Sequence, residues 1–218
     1  SSCIKKLKEK GYHIISSTKK GYCLTEDNDV ILIENIKSAI PDFFQNIKYF
    51  DEIDSTNDYL KRTSHQQGDI VIAQAQTKGK GRNGKSFYSP QQKGIYVSFV
   101  LKPDLTIYDS LKITACLAVS LVKAIEKNYP VHPQIKWVND IMIHDFKIAG
   151  ILCEASLEMN TAQIEQMIVG IGINVHSYSM PDYLQNIAAC IEDFCSIKAS
   201  REQLLIDFFN IFYQDYLM

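Results

Sequence analysis

Three long apolar runs constrain this 218-residue chain more than anything else in it: GIYVSFVL (Gly94–Leu101), KIAGILCEAS (from Lys147) and QMIVGIGINV (from Gln166). Each reads as a strand, and the second otherwise reads as a buried one. IKYFDEI (Ile47–Ile53), DIVIAQAQ (Asp69–Gln76), QIKWV and DIMIH extend the set, the last two joined tightly at Asn139–Asp140. Few helical patterns interrupt them. DSTNDYLKR (Asp54–Arg62) opens on residues that accept bonds from free N–H groups at a helix start. From Ser110 to Asn128, Leu117, Ala118, Leu121, Val122 and Ile125 recur at the spacing of a helix lying on a sheet. Ser200 with Gln203 predicts a capping-box start for a last helix carrying Leu204, Leu205, Phe208, Ile211, Phe212 and Tyr216. Strands mostly follow strands, so the expected fold is α+β, a mixed β-sheet flanked by helices. No GxGxxG follows the first strand, and a Rossmann fold or TIM barrel is disfavoured.

Charge divides the chain unevenly. Residues 1–24 hold six lysines against one glutamate, while the whole chain carries a net charge of −2. Ile4 and Leu7 sit at helical spacing, with Gly11 as the expected C-cap. YHIIS and GYCLT then flank the turn STKKG as a short hairpin. A helix followed by a basic-tipped hairpin matches the second half of a winged helix-turn-helix. Residues 1–27 are therefore expected to be a partial winged helix, 28–46 a linker and 47–218 the main domain. A basic module on an acidic body suits polyanions; a solvated lysine-rich face is the rival reading. The six cysteines show neither a CxxC pair nor zinc-like spacing with the histidines, which fits a reducing, cytoplasmic setting. No run reaches the roughly 18 apolar residues of a membrane span.

The chemistry concentrates between two strands. Seventeen residues separate Gln76 from Gly94, and they include TKGKGRNGKSFYSP. A segment this long in a compact domain tends to be functional. Gly79, Gly81 and Gly84 let the backbone approach a ligand and aim N–H groups at it. Arg82 offers a planar fork for carboxylate or phosphate, and Lys80 and Lys85 add point charges. An anion-binding loop is one reading and a solvated hairpin turning at Asn83–Gly84 is the other. No Walker A pattern is present. Downstream, Lys136 and Lys147 bracket the Asn139–Asp140 turn, and Lys147 enters a buried run close to Gly150. Alternate glycines in GIGIN (Gly170–Asn174) leave one strand face bare, for packing or for a flat ligand. Ser55, Thr56 and Asn57 cap a helix, or offer its free N–H groups to a polar ligand.

The order DEIDSTNDYL, QAQTKGKGRNGKSFYSP, KWVND, KIAGILCE, GIGINV resembles the biotin protein ligases, over roughly Tyr49 to Val175. The amino-terminal segment resembles the recognition helix and wing of those that double as biotin operon repressors. The resemblance implies a catalytic domain of the class II aminoacyl-tRNA synthetase-like type. It implies activation of biotin by ATP, with Mg²⁺, to biotinyl-5′-AMP, and transfer to a lysine of the biotin carboxyl carrier protein of acetyl-CoA carboxylase. It assigns Arg82, Lys147 and Lys136 to neutralising the α-phosphate and carboxylate. Asp140 would orient or deprotonate the incoming lysine. Ser55, Thr56, Gln76 and Lys80, with Arg82 and Lys147, would hold biotin, and Gly150 and Gly170 would give its rings access. The adenylate would meet Gly79, Gly81, Arg82, Asn83, Gly84, Lys85, Phe87, Lys136, Asn139 and Asn174. No protein cage is expected for Mg²⁺, which would come with ATP near Asn139. Operator DNA in a full-length form and a homodimer formed on adenylate binding are further expectations. Val138 stands where the family usually has proline, Phe87 where it has tryptophan, and Lys80 and Asn83 where arginine is common. The SH3-like barrel that often follows in the family is expected to be absent. Two rival readings remain: a repressor that only senses the adenylate, and a lipoate-type acyl ligase, whose RRxxGGGxV-type loop is missing.

Overall fold

The computed structural model describes residues 2–9, 12, 14–17, 21–24, 29–44, 46–158, 163–198 and 200–217. Gly11, the tip of the STKKG turn and the first part of EDNDV lie outside them. Helix α1 (Ser2–Glu9) precedes a two-stranded hairpin of β1 (Ile14–Ser17) and β2 (Gly21–Leu24). The rest forms around a seven-stranded sheet. Its strands are β3 (Ile47–Phe50), β4 (Ile70–Ala73), β5 (Gly94–Leu101), β6 (Gln134–Lys136), β7 (Asp140–Ile143), β8 (Phe146–Leu157) and β9 (Ile164–Asn174). They lie in the order β3-β4-β5-β9-β8-β7-β6. Only β3 and β4 pair in parallel, as the crossover through α3 (Thr56–Arg62) requires; every other neighbour is antiparallel.

The two faces of the sheet differ because side chains alternate along each strand. Ile70 and Ile72, Ile95, Val97 and Phe99, and Val169, Ile171 and Ile173 point to one face. There they bury against α4 (Ser110–Asn128), through Leu117, Leu121 and Ile125, and against α5 (Arg201–Leu217), through Leu205, Phe208 and Phe212. The opposite face is thinly covered. Val71, Val100 and Ile168 cluster with Leu60 of α3, Phe50 and Tyr59. Apart from Leu152 and Tyr96, the central positions beyond them, Ser98, Gly150, Gly170 and Gly172, are small. One face is thus a core and the other is left for a site.

The stretch 28–46 is not the linker expected from its sequence. It contains helix α2 (Ile33–Ala39), and Ile31, Ile36, Ile40 and Phe44 are buried in the main core. Asn210 Nδ2 donates to Ala39 O at 2.9 Å, and Glu202 accepts from Leu32 N. Seven helical residues give too short a period to stand out from a polar background, and only their contact with α5 makes them core. The chain next turns at Gly68, whose φ is +81° and where a Cβ would lie 1.8 Å from Phe43 O. Left-handed backbone and a blocked Cβ act together here, so Gly68→Ala is expected to cost about 3 kcal/mol. Denaturant unfolding checks it: an unchanged midpoint would show that the Phe43 backbone yields freely.

Candidate functional site

The open face of the sheet holds a cleft of about 440 Å³, open solvent at its mouth included. Its floor is the centre of β8 and β9, where Gly150 pairs with Gly172 and Leu152 with Gly170. The N-terminus of α3 closes one end, and the loop between β4 and β5 forms the wall. That loop has built structure. Gln76 bridges to Ser89, Lys80 to Ser86, and Phe87 N donates to Gly79 O at 2.9 Å. Arg82–Gly84 makes one 3-10 turn, with Asn83 (φ 55°) and Gly84 (φ 73°) left-handed at its tip.

The structure brings Ser55, Thr56, Gln76, Lys80, Gly81, Arg82, Phe87, Asn139, Lys147, Gly150 and Gly170 together as the lining of one cleft. Residues far apart in sequence meet there because α3, the loop, the β6–β7 turn with Asn139 and the start of β8 with Lys147 all border the same face. At one end the contacts are neutral. Ser55 Oγ caps α3 by accepting from Asp58 N at 3.3 Å, and Gln76 Oε1 accepts from Thr56 N at 2.8 Å. At the other end they are charged. Arg82 Nη1 donates to Asn139 Oδ1 at 2.9 Å, Asn139 Nδ2 to Asp140 Oδ1 at 2.9 Å, and Lys147 Nζ to the same oxygen at 2.7 Å. Two cations are thereby held on internal acceptors at the edge of the cleft. An anionic ligand, which accepts better than the Asn139 amide oxygen, can draw Arg82 to itself, and it can compete with the Asp140 carboxylate for Lys147. Lys147 is fixed from behind as well, since its N–H donates to Ile187 O and its carbonyl accepts from Ala189 N. Lys80 instead pairs with Asp58 at 2.7 Å, and that hydrogen bond holds its ammonium above its ordinary pKa. The pair ties the loop to α3.

The other expected residues stand elsewhere. Gly79 is buried beneath the loop, where a Cβ would be 2.4 Å from Phe87 O. Asn83, Gly84 and Lys85 are exposed at the tip, outside the lining. Lys136 is exposed on the edge strand β6, and Asp140 reaches the cleft only through Lys147 and Asn139. Asn174 is outside the lining; its side chain is buried and donates to Ala189 O at 3.3 Å. The glycines also do more than open a floor. A Cβ at Gly170 would lie 2.1 Å from Asn57 Oδ1, and one at Gly172 would lie 2.5 Å from the Phe87 ring. The bare strand face is filled by two side chains, not by another backbone. Ile151, Leu152 and Ile171 line the cleft and escaped the sequence reading, while Asn57 and Gly172 line it too and were not singled out for a ligand role of their own. Gly172 had a signal, being the second glycine of GIGIN, and Asn57 stood in DSTN, where a cap was reason enough for it. Among the described residues, no group of three or more His, Cys, Asp or Glu side chains could hold a metal ion.

A mixed sheet with one bare face, a neutral polar pocket and two fixed cations define a domain built to bind a small ligand with an anionic end. The comparisons narrow the class. The sequence model of the biotin/lipoate A/B protein ligase family matches residues 49–174, and the chain belongs to that family. It is 31% identical over 228 residues to the bifunctional ligase/repressor BirA of Bacillus spizizenii, covering 98% of this chain and 68% of that protein. With BirA of Escherichia coli the identity is 28% over 174 residues, covering 79% and 53%. Among solved structures, the biotin protein ligase of Aquifex aeolicus in complex with biotin and ATP superposes with a TM-score of 0.69 at 29% identity, covering 79% of this chain and 70% of that one. The α+β fold is that of the biotin protein ligase catalytic domain.

Proposed function

We propose that this chain is an ATP-dependent, AMP-forming biotin–protein ligase. The observation that carries this reading is the polarity of the cleft: Ser55, Thr56 and Gln76 at the α3 end, where Lys80 is neutralised by Asp58, and the cations Arg82 and Lys147 at the other. Biotin has the matching shape, with an uncharged ureido head and a carboxylate tail. In the first step the biotin carboxylate attacks the α-phosphorus of ATP, and pyrophosphate leaves. Both reactants are anions, so fixed positive charge is needed where they meet. Lys147 and Arg82 supply it by turning from Asp140 and Asn139 to the carboxylate and α-phosphate. Mg²⁺, which screens the phosphates when bound, would ride on ATP itself, because the nearby donors are only Asn139 and an Asp140 already engaged by Lys147. In the second step a lysine ε-amine of the carrier protein attacks the acyl carbon, and AMP leaves. Asp140, released as Lys147 turns, takes the amine proton. Ser55, Thr56 and Gln76 hold the ureido head, and Phe87 shields the mixed anhydride from water. Lys136, on the exposed edge strand, meets the outer phosphates at the rim.

Intact-mass analysis of a biotin carboxyl carrier domain incubated with this chain, ATP, Mg²⁺ and biotin tests the proposal. A gain of one biotinyl group is expected, none without ATP, and none when lipoate replaces biotin. No gain at high enzyme concentration would refute it. A second activity is favoured by helix α1 and the β1–β2 hairpin, and by the Bacillus relative being named a ligase/repressor. Residues 1–27 then belong to a DNA-binding winged helix, which a gel-shift with biotin-operator DNA examines.

A further inference from the structure

We infer that Glu154, Asn57 and Ser98 form a proton-ordering relay that leaves Thr56 a hydrogen-bond acceptor toward the cleft, so that the pocket selects a ligand head carrying N–H donors. The inference rests on the ligase reading and names three positioning residues behind the ligand.

Asn57 Nδ2 lies 2.9 Å from Glu154 Oε2, while Lys61 Nζ lies 2.6 Å from the other carboxylate oxygen. A carboxylate only accepts, so Asn57 must turn its nitrogen to Glu154 and its Oδ1 the other way. That oxygen stands 2.5 Å from Ser98 Oγ, and Ser98 is fully buried in β5. Two oxygens at this distance share a proton, and the amide oxygen has none to give. The single hydroxyl proton of Ser98 is therefore committed to Asn57. Ser98 Oγ is also 2.6 Å from Thr56 Oγ1, so the proton in that contact belongs to Thr56. Thr56 Oγ1 then faces Gln76 Oε1 at 3.0 Å with no proton between them. Gln76 cannot relieve this by flipping. Its Oε1 accepts from Thr56 N at 2.8 Å, and its Nε2 donates to Ser89 Oγ at 3.0 Å. Of the two oxygen contacts of Thr56, the shorter takes the proton and the longer is left as paired acceptors.

Thr56 and Gln76 both line the cleft. Two acceptors side by side repel when the cleft is empty and are satisfied by an N–H placed against them. A ureido N–H does this; an ester or carbonate oxygen at the same place adds a third acceptor. Gly170 makes the relay possible, because any side chain there would displace Asn57 Oδ1.

Calorimetry with biotin and with its cyclic-carbonate analogue, in which oxygen replaces both ureido N–H groups, tests the relay. The unmodified chain is expected to prefer biotin by about 100-fold or more. Ser98→Ala removes the acceptor for the Thr56 proton, which swings to Gln76. Asn57→Leu reaches the same end, since Ser98 then donates to Thr56 and Thr56 to Gln76. Each is expected to cut the preference about tenfold by weakening biotin, and the double variant to cut it no further. Lys61→Met, which leaves Glu154 in place to accept from Asn57, keeps the preference. If Ser98→Ala does not fold by thermal melting, Asn57→Leu against Lys61→Met carries the comparison. Unchanged preference in a folded Ser98→Ala or Asn57→Leu variant, or additive losses in the double variant, overturns the relay. Biotin transfer without discrimination by the unmodified chain overturns the relay and leaves the ligase reading standing. Failure to bind biotin at all overturns both.

Discussion

Lys147→Met is expected to slow biotin-dependent ATP–pyrophosphate exchange by about 10²–10³-fold, with the chain still folded. The methionine keeps most of the aliphatic stem and removes the charge. Two effects then add. The carboxylate and α-phosphate lose one of the cations that screen their repulsion, and Asp140, no longer paired at 2.7 Å, leaves its own negative charge beside them. The companion substitution Lys147→Met with Asp140→Asn separates the two. Recovery of part of the lost rate would assign that part to the bare carboxylate. Exchange at the unmodified rate in Lys147→Met would remove this residue from the chemistry. Arg82→Ala, which deletes the loop's link to Asn139, is expected to let the adenylate escape faster, read by its retention on the enzyme through gel filtration.

A large effect on stability belongs to a residue outside the cleft. Arg201 opens α5 and is only 1% exposed. Its Nε donates to Asp29 Oδ2 at 2.5 Å, Nη1 to Gln74 Oε1 at 3.0 Å and Gly94 O at 3.1 Å, and Nη2 to Asp29 O at 2.7 Å. One side chain joins the segment before α2 to β5 and α5. Arg201→Met leaves the half-buried Asp29 with His176 as its remaining cationic partner and removes four bonds of a buried guanidinium, at an expected cost of about 3 kcal/mol. For a domain of this size that is a fall in Tm of about 10 °C, which calorimetry measures. A fall under about 2 °C would show that His176 alone satisfies Asp29.

The same cluster gives a pH dependence. Burial would lower the His176 pKa, but its hydrogen bonds to Asp29 at 2.6 Å and Glu192 at 2.9 Å prevail and hold it above the ordinary 6.5. Its contribution is complete below pH 6.5 and is lost as pH rises through the folded value. Burial raises Asp29, yet His176 and Arg201 hold it below 3.8, so its contribution is present above that value and lost as pH falls through the folded one. Stability is expected to be greatest between these limits. His176→Gln should flatten the alkaline side alone, as urea midpoints across pH would show.

Much of the fold was legible because strand and helix periods are local. Gly94–Leu101 and Ser110–Asn128 form the elements their own residues predict. Ser200 does cap α5, accepting from Gln203 N at 3.3 Å. The loop was legible for a similar reason, since glycines and cations that act together stand together in TKGKGRNGKSFYSP. Legibility ended where meaning depends on a partner far along the chain. Residues 28–46 look like a linker until α5 covers them, and nothing next to Asn174 in sequence announces its bond to the Ala189 carbonyl. The sequence by itself determined a mixed sheet with helices and a cationic loop, because alternation, capping and backbone freedom are written in neighbouring residues. Only the tertiary structure decided which sheet face stays open, that Asn57 fills the space left by Gly170, and which proton each hydroxyl must give. Those depend on distances of 2 to 3 Å between segments that sequence spacing does not relate.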